Sequence, residues 1–144
     1  MARIAKPPKT RRSGPPANPA RGEHSLTLGG VSYRLRPSGQ FCRIVEDEVG
    51  ALLDLFSRAN TYRLKIEEAA TIVTELIRAG AEPGDKLAAN VTEEVIYDLI
   101  YEEGIAKVLP VLVIVLSDAV TGGRKASGEA KAVTSSRPGS VTAA

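Results

Sequence analysis

The chain holds one histidine, His24, one cysteine, Cys42, and four runs of adjacent acids, Glu46-Asp47-Glu48, Glu67-Glu68, Glu93-Glu94 and Glu102-Glu103. These are the residue types that could do acid–base, nucleophilic or metal chemistry. A zinc site needs further Cys or His at ligand spacing, and this pair has none. Cys42 follows Phe41 on an apolar stretch with no base nearby in sequence, so it reads as a small buried hydrophobe rather than a nucleophile. His24 stands near the start of a strand pattern, where an edge residue is the plainer reading. Adjacent residues on a helix point about 100° apart, so the paired acids do not face one another as a catalytic dyad would. They read as solvated faces and helix-start charges. Gly29-Gly30 lacks the later glycine and the Lys-Ser/Thr of a phosphate-cradling loop. No catalytic, cofactor-binding or metal-binding residue is assigned, and no enzyme is expected.

Charge is divided unevenly along the 144 residues. Residues 1–22 carry six Lys/Arg and no acid, residues 123–144 carry four Lys/Arg against one acid, and the stretch between carries nine against 16, a formal −7. The overall +2 therefore describes no real surface. The first 22 residues are rich in proline, and the tail from 122 onward is Gly, Ser, Thr and Ala around Lys and Arg. Neither end holds enough apolar area to offset its ordering entropy, so both are expected to be disordered basic extensions flanking one domain over 23–121. No apolar run follows the first positive residues, and none reaches the ~18 residues of a membrane span. One cysteine allows no internal disulfide, which fits a reducing cytoplasm. The basic ends could neutralise phosphates, but they contain no aromatic residue to stack on bases, and nucleic acid is not the expected partner.

The elements that would position these groups begin with a hairpin. Leu26 and Leu28 alternate with polar residues, Gly29-Gly30 punctuates, and Val31, Tyr33 and Leu35 resume the alternation. A two-residue glycine turn pairs Leu28 with Val31, Leu26 with Tyr33 and His24 with Leu35 on one face. Such a hairpin is marginal alone and needs helices or another subunit to cover it. Ser38 reads as the N-cap of a helix bearing Phe41, Ile44, Val45 and Val49, which Gly50 breaks. A short helix follows around Leu52–Phe56. A third is expected over about 62–79, with Gly80 in the C′ position that ends it. Ala81 to Asp85 is a loop. Thr92 caps a fourth helix, with Glu93 and Glu94 in its first turn and Val91 set to pack on Ile96. Gly104 stops that helix. The last, about 105–120, is apolar all round from Val108 to Leu116, which predicts a central position in the core or cover from a partner. The fold class is α+β: an N-terminal β-hairpin packed on four or five short helices. With no tryptophan and 4% aromatic residues the core must be aliphatic, and association into a homo-oligomer could supply part of its stability.

The ordered set Arg21-Gly22-Glu23, Leu26-Thr27-Leu28-Gly29-Gly30, Tyr33-Arg34-Leu35-Arg36-Pro37-Ser38, Ile44 to Gly50, Ile77-Arg78-Ala79-Gly80 and Glu102-Glu103-Gly104 resembles the tail assembly chaperones of gene transfer agents and siphophage-like prophages. The likeness covers about residues 19–121. Ala17 to Glu23 looks like the usual start of such proteins, so the preceding residues are either a true extension or follow a start placed too far upstream. The resemblance implies a non-enzymatic chaperone that coats the tape measure protein, a long helical chain, until tail tube subunits polymerise around it. It also implies a longer product made by translational frameshifting. Val111, Leu112, Ile114 and Val115 are the expected partner-binding surface, if they are accessible. The runner-up is a structural tail subunit, tube or connector, retained in the particle. A nucleic-acid-binding accessory protein ranks third.

Overall fold

Gly29 and Gly30 both adopt positive φ, 57° and 79°, which closes the tight turn between strands β2 (His24–Leu28) and β3 (Val31–Leu35). The register is the one the alternation predicts: His24 faces Leu35, Leu26 faces Tyr33 and Leu28 faces Val31. The computed structural model describes residues 11–12 and 16–122 of the chain. Within them a two-residue strand β1 (Arg11–Arg12) pairs parallel with β3, so the sheet order is β1-β3-β2. A 3-10 turn (Pro19–Arg21) follows, capped by Asn18, whose side chain accepts from the Ala20 N–H. Residues 1–10 and 13–15 of the basic N-terminal stretch, and 123–144 of the C-terminal one, lie outside the described residues.

Leu26, Leu28, Tyr33 and Leu35 turn one face of the hairpin inward, and helices cover it. Helix α1 (Gly39–Glu48) starts at Ser38, whose hydroxyl accepts from the Phe41 N–H at 3.0 Å. Helix α2 (Leu52–Asn60) has no cap of its own; the Glu46 carboxylate reaches across from α1 and accepts from the Leu52 N–H at 2.9 Å. The third helix, α3 (Ile66–Gly80), begins four residues later than expected. The chain spends Tyr62 and Arg63 terminating α2: Tyr62 takes φ 57°, while its N–H bonds to the Ala59 carbonyl and that of Arg63 to the Arg58 carbonyl. This is the paired-bond ending in which the C′ residue is left-handed.

Helix α3 is the centre of the molecule. Every residue from Ala69 to Ile77 is buried, so this helix, rather than the more apolar last one, occupies the middle. Gly80 is its final residue and not its left-handed terminator. A Cβ there would meet the Arg34 carbonyl oxygen at 2.5 Å, so glycine is needed for α3 to close on β3. Arg34 fills the same junction, its guanidinium donating to the Gly80 carbonyl at 2.8 and 2.6 Å.

A single turn, α4 (Lys86–Ala89), interrupts the loop after α3, capped by the Asp85 carboxylate on the Ala88 N–H. Four residues are too few to show a period, so the sequence pattern could not reveal it. Helix α5 (Glu93–Glu103) starts at Thr92, whose hydroxyl accepts from the Val95 N–H, and ends at Gly104 with φ 95°. Val91 and Ile96 are both buried, as a staple requires. Helix α6 (Ile105–Val120) is helical throughout, Pro110 included, and packs chiefly on α2. Pro110 deletes one i to i−4 bond, but it and Ala106 both face water, which can take the freed carbonyl.

Candidate interaction surface

Several of the residues with reactive types make structural contacts. His24 Nε2 lies 2.6 Å from Asp118 Oδ2, tying the start of β2 to the last turn of α6 across 94 positions. Cys42 is half-buried on α1; burial first, and the nearby Glu46 second, push its thiol up, which favours the unreactive protonated form. Glu68 holds the Arg58 guanidinium through two bonds of 2.8 and 3.0 Å and also accepts from the Lys65 N–H. The Arg58 hydrogen bond is the main reason its carboxyl is held below the ordinary glutamate value. The buried Glu75 pairs with Arg78, and Glu93 accepts from the Thr71 hydroxyl at 2.9 Å. Among the described residues no group of three or more His, Cys, Asp or Glu could hold a metal ion, and no helix is long and apolar enough to cross a membrane.

The four residues expected to meet a partner are divided by the helix period. Leu112 and Val115 are fully buried with Val108 and Leu116, on the side of α6 turned to the core. Val111 is half-buried, and Ile114, on the opposite side, is 55% exposed. Only Ile114 and part of Val111 can therefore touch another molecule while α6 stays packed. The apolar run Val108–Leu116 concealed this, although Lys107 and Asp118, seven residues before and four after Ile114, mark the outward side.

Exposed side chains that the sequence reading did not single out lie elsewhere. Leu53 on α2 and Tyr62 beyond its end are open to solvent, as are Val95, Tyr97 and Tyr101 on α5. Glu94, Tyr97, Asp98 and Tyr101 recur at i, i+3, i+4 and i+7, which stacks them on one side of α5. The buried Ile96 and Ile100 occupy the other. Where α5 runs beside α3, a surface cavity of about 330 Å³ is lined by Glu67, Ala70, Glu93, Glu94, Tyr97 and Asp98. The signal for this face was in the sequence, as an acid–tyrosine stripe at helical spacing. It was read only for its acids.

The uncovered apolar and aromatic side chains give the described surface the character of one that meets other proteins. The family described as phage tail tube protein, GTA-gp10, matches over residues 21–122, more than half of the chain. No curated protein and no solved structure matches it. The match supports the gene transfer agent and phage tail kinship read from the hairpin and the helices after it. It overturns the chaperone role attached to that kinship, because the family is described as a component of the tail itself. The residues that carried the resemblance, from Arg21 to Ser38 and on to Leu116, specify a fold, and none of them distinguishes a transient holder from a permanent subunit. Residues 21–122 place this chain in the phage tail tube protein, GTA-gp10, family.

Proposed function

We propose that the chain is a structural subunit of a phage-like tail, part of the tube or of its connection to the rest of the particle, and that it catalyses no reaction. The observation behind this reading is the family match over residues 21–122. The architecture is compatible with it. A rigid aliphatic core built around α3 leaves Leu53, Tyr101 and Ile114 uncovered on separate helices, and a subunit with neighbours on several sides needs such surface. Its partners are then other copies and other tail proteins. Contact with the tape measure protein, on this reading, is made within a finished tail.

Antibodies raised against the folded chain should decorate the tails of purified particles in negative-stain electron microscopy. Label confined to heads, or no label on intact and disrupted particles alike, would overturn the proposal.

A further inference from the structure

The sheet order β1-β3-β2 leaves β2 as an outer strand, and its backbone is aimed accordingly. Gly29 and Gly30, at φ 57° and 79°, form a two-residue primed turn, which makes Leu28 and Val31 the first pair to exchange backbone hydrogen bonds. The alternation then gives the backbone bonds of Leu26 and His24 to β3 as well. Ser25 and Thr27 point their N–H and C=O groups the other way, out of the sheet. No described residue outside the hairpin hydrogen-bonds to either of them. Their side chains are exposed while Leu26 and Leu28 are buried, so α5 and α6, which pack on β2, lie against its inner face.

Edge strands are usually blunted by lysine, proline or a bulge. Strand β2 reads His-Ser-Leu-Thr-Leu and pairs with β3 without a bulge, and its one titratable residue, His24, is tied to Asp118. The opposite edge of the sheet is closed. There β1 lies along Val31 and Ser32, Gly80 abuts the Arg34 carbonyl, and the Arg36 N–H donates to the Leu76 carbonyl. Among the described residues each molecule therefore offers one open strand edge. Two copies that join by strand pairing must both use it, which makes the contact isologous.

Self-pairing also fixes the register. Only the antiparallel alignment centred on Leu26 sets both outward residues of one strand opposite both of the other, Ser25 to Thr27 and Thr27 to Ser25, so that each pair exchanges its backbone bonds. It opposes hydroxyl side chains on the outer face and Leu26 to Leu26 on the inner one, and it brings no like charges together.

We infer that the free edge of β2 is a self-association surface, at which a second copy adds its own β2 antiparallel about Leu26 to make one continuous sheet. The contact is uncharged, so added salt leaves it standing. The inference goes beyond the tail-subunit reading and does not depend on it.

Sedimentation of the purified full-length protein over a range of concentrations tests it. The wild type should pass from monomer to dimer as concentration rises, at low and moderate salt alike. Thr27→Pro removes an outward N–H that the folded monomer does not use, and should weaken association about tenfold or more. A second experiment reads the register. In a Cys42→Ser background, Ser25→Cys and Thr27→Cys chains mixed under oxidising conditions should form a disulfide-linked heterodimer, because directly opposed positions lie within bridging distance. Either chain alone should crosslink far less, since equivalent residues sit diagonally, about 7–8 Å apart. Circular dichroism checks that each variant is folded; should Thr27→Pro unfold, the crosslinks decide alone. A wild type that stays monomeric, as when another protein or the chain's own ends cover β2, would overturn the inference. So would dimers that a folded Thr27→Pro leaves unchanged, or a mixture that crosslinks no better than its components. Presence or absence of the chain in purified particles bears on the tail reading alone.

Discussion

Glu68 shows how one residue can look like chemistry and act as scaffold. Its carboxylate joins the end of α2, through Arg58, to the first turn of α3, through the Lys65 N–H. The Arg58 bond lowers its folded value below that of an unfolded glutamate. The stabilisation is therefore complete above the ordinary glutamate range and is lost as pH falls through the depressed folded value. Glu68→Gln should cost about 1 kcal/mol near neutral pH, and urea unfolding should show that difference shrinking toward zero in acid. A difference that stays constant with pH would place the effect in packing instead. Gly80 gives a sharper steric case. The Cβ of Gly80→Ala would lie 2.5 Å from a backbone oxygen of β3, which no rotamer change relieves. We expect a loss of about 2–3 kcal/mol in chemical denaturation, larger than a helix-propensity gain could offset.

At the scale of elements, the α2–α3 connection stores strain that the sequence hides. Tyr62 occupies the left-handed C′ position, normally glycine's, with its ring 70% exposed and so without the burial that would offset the strain. Tyr62→Gly should raise thermal stability, by about 0.5–1 kcal/mol once glycine's extra chain entropy is counted. A lower melting temperature would mean that the exposed ring is itself stabilising. The hairpin, its register and the caps at Ser38 and Thr92 were legible because alternation and hydrogen-bonding side chains are local signals. The start of α3 was not, since Tyr62 to Lys65 fit a helical pattern until the left-handed residue is seen. Gly80 was read as a terminator because a close approach to β3 leaves no trace in neighbouring residues. Helix α6 was expected, from its composition, to be central or covered by a partner; α3 is the central helix, because burial depends on how many elements surround a helix and not only on how apolar it is. For the same reason Leu112 and Val115 proved to be core and Ile114 surface. The tyrosine stripe of α5 was readable at i, i+4 spacing, but hydrophobic pattern analysis weighs such residues too little to call them a face.

At the scale of the whole molecule, an overall +2 conceals a middle stretch of formal −7 between basic ends. Such a charge plan works against tight contact with nucleic acid, whose phosphates the acidic stretch repels. On the tail-subunit proposal, the uncovered side chains on α2, α5 and α6 are surface for neighbours. The central claim, that the protein is built into the tail, is tested most directly by counting it. Isotope-dilution mass spectrometry of purified particles should find this chain in many copies per particle, in a constant ratio to other tail proteins from one preparation to the next. Recovery at well under one copy per particle, with the chain abundant in the cells that made them, would contradict the account.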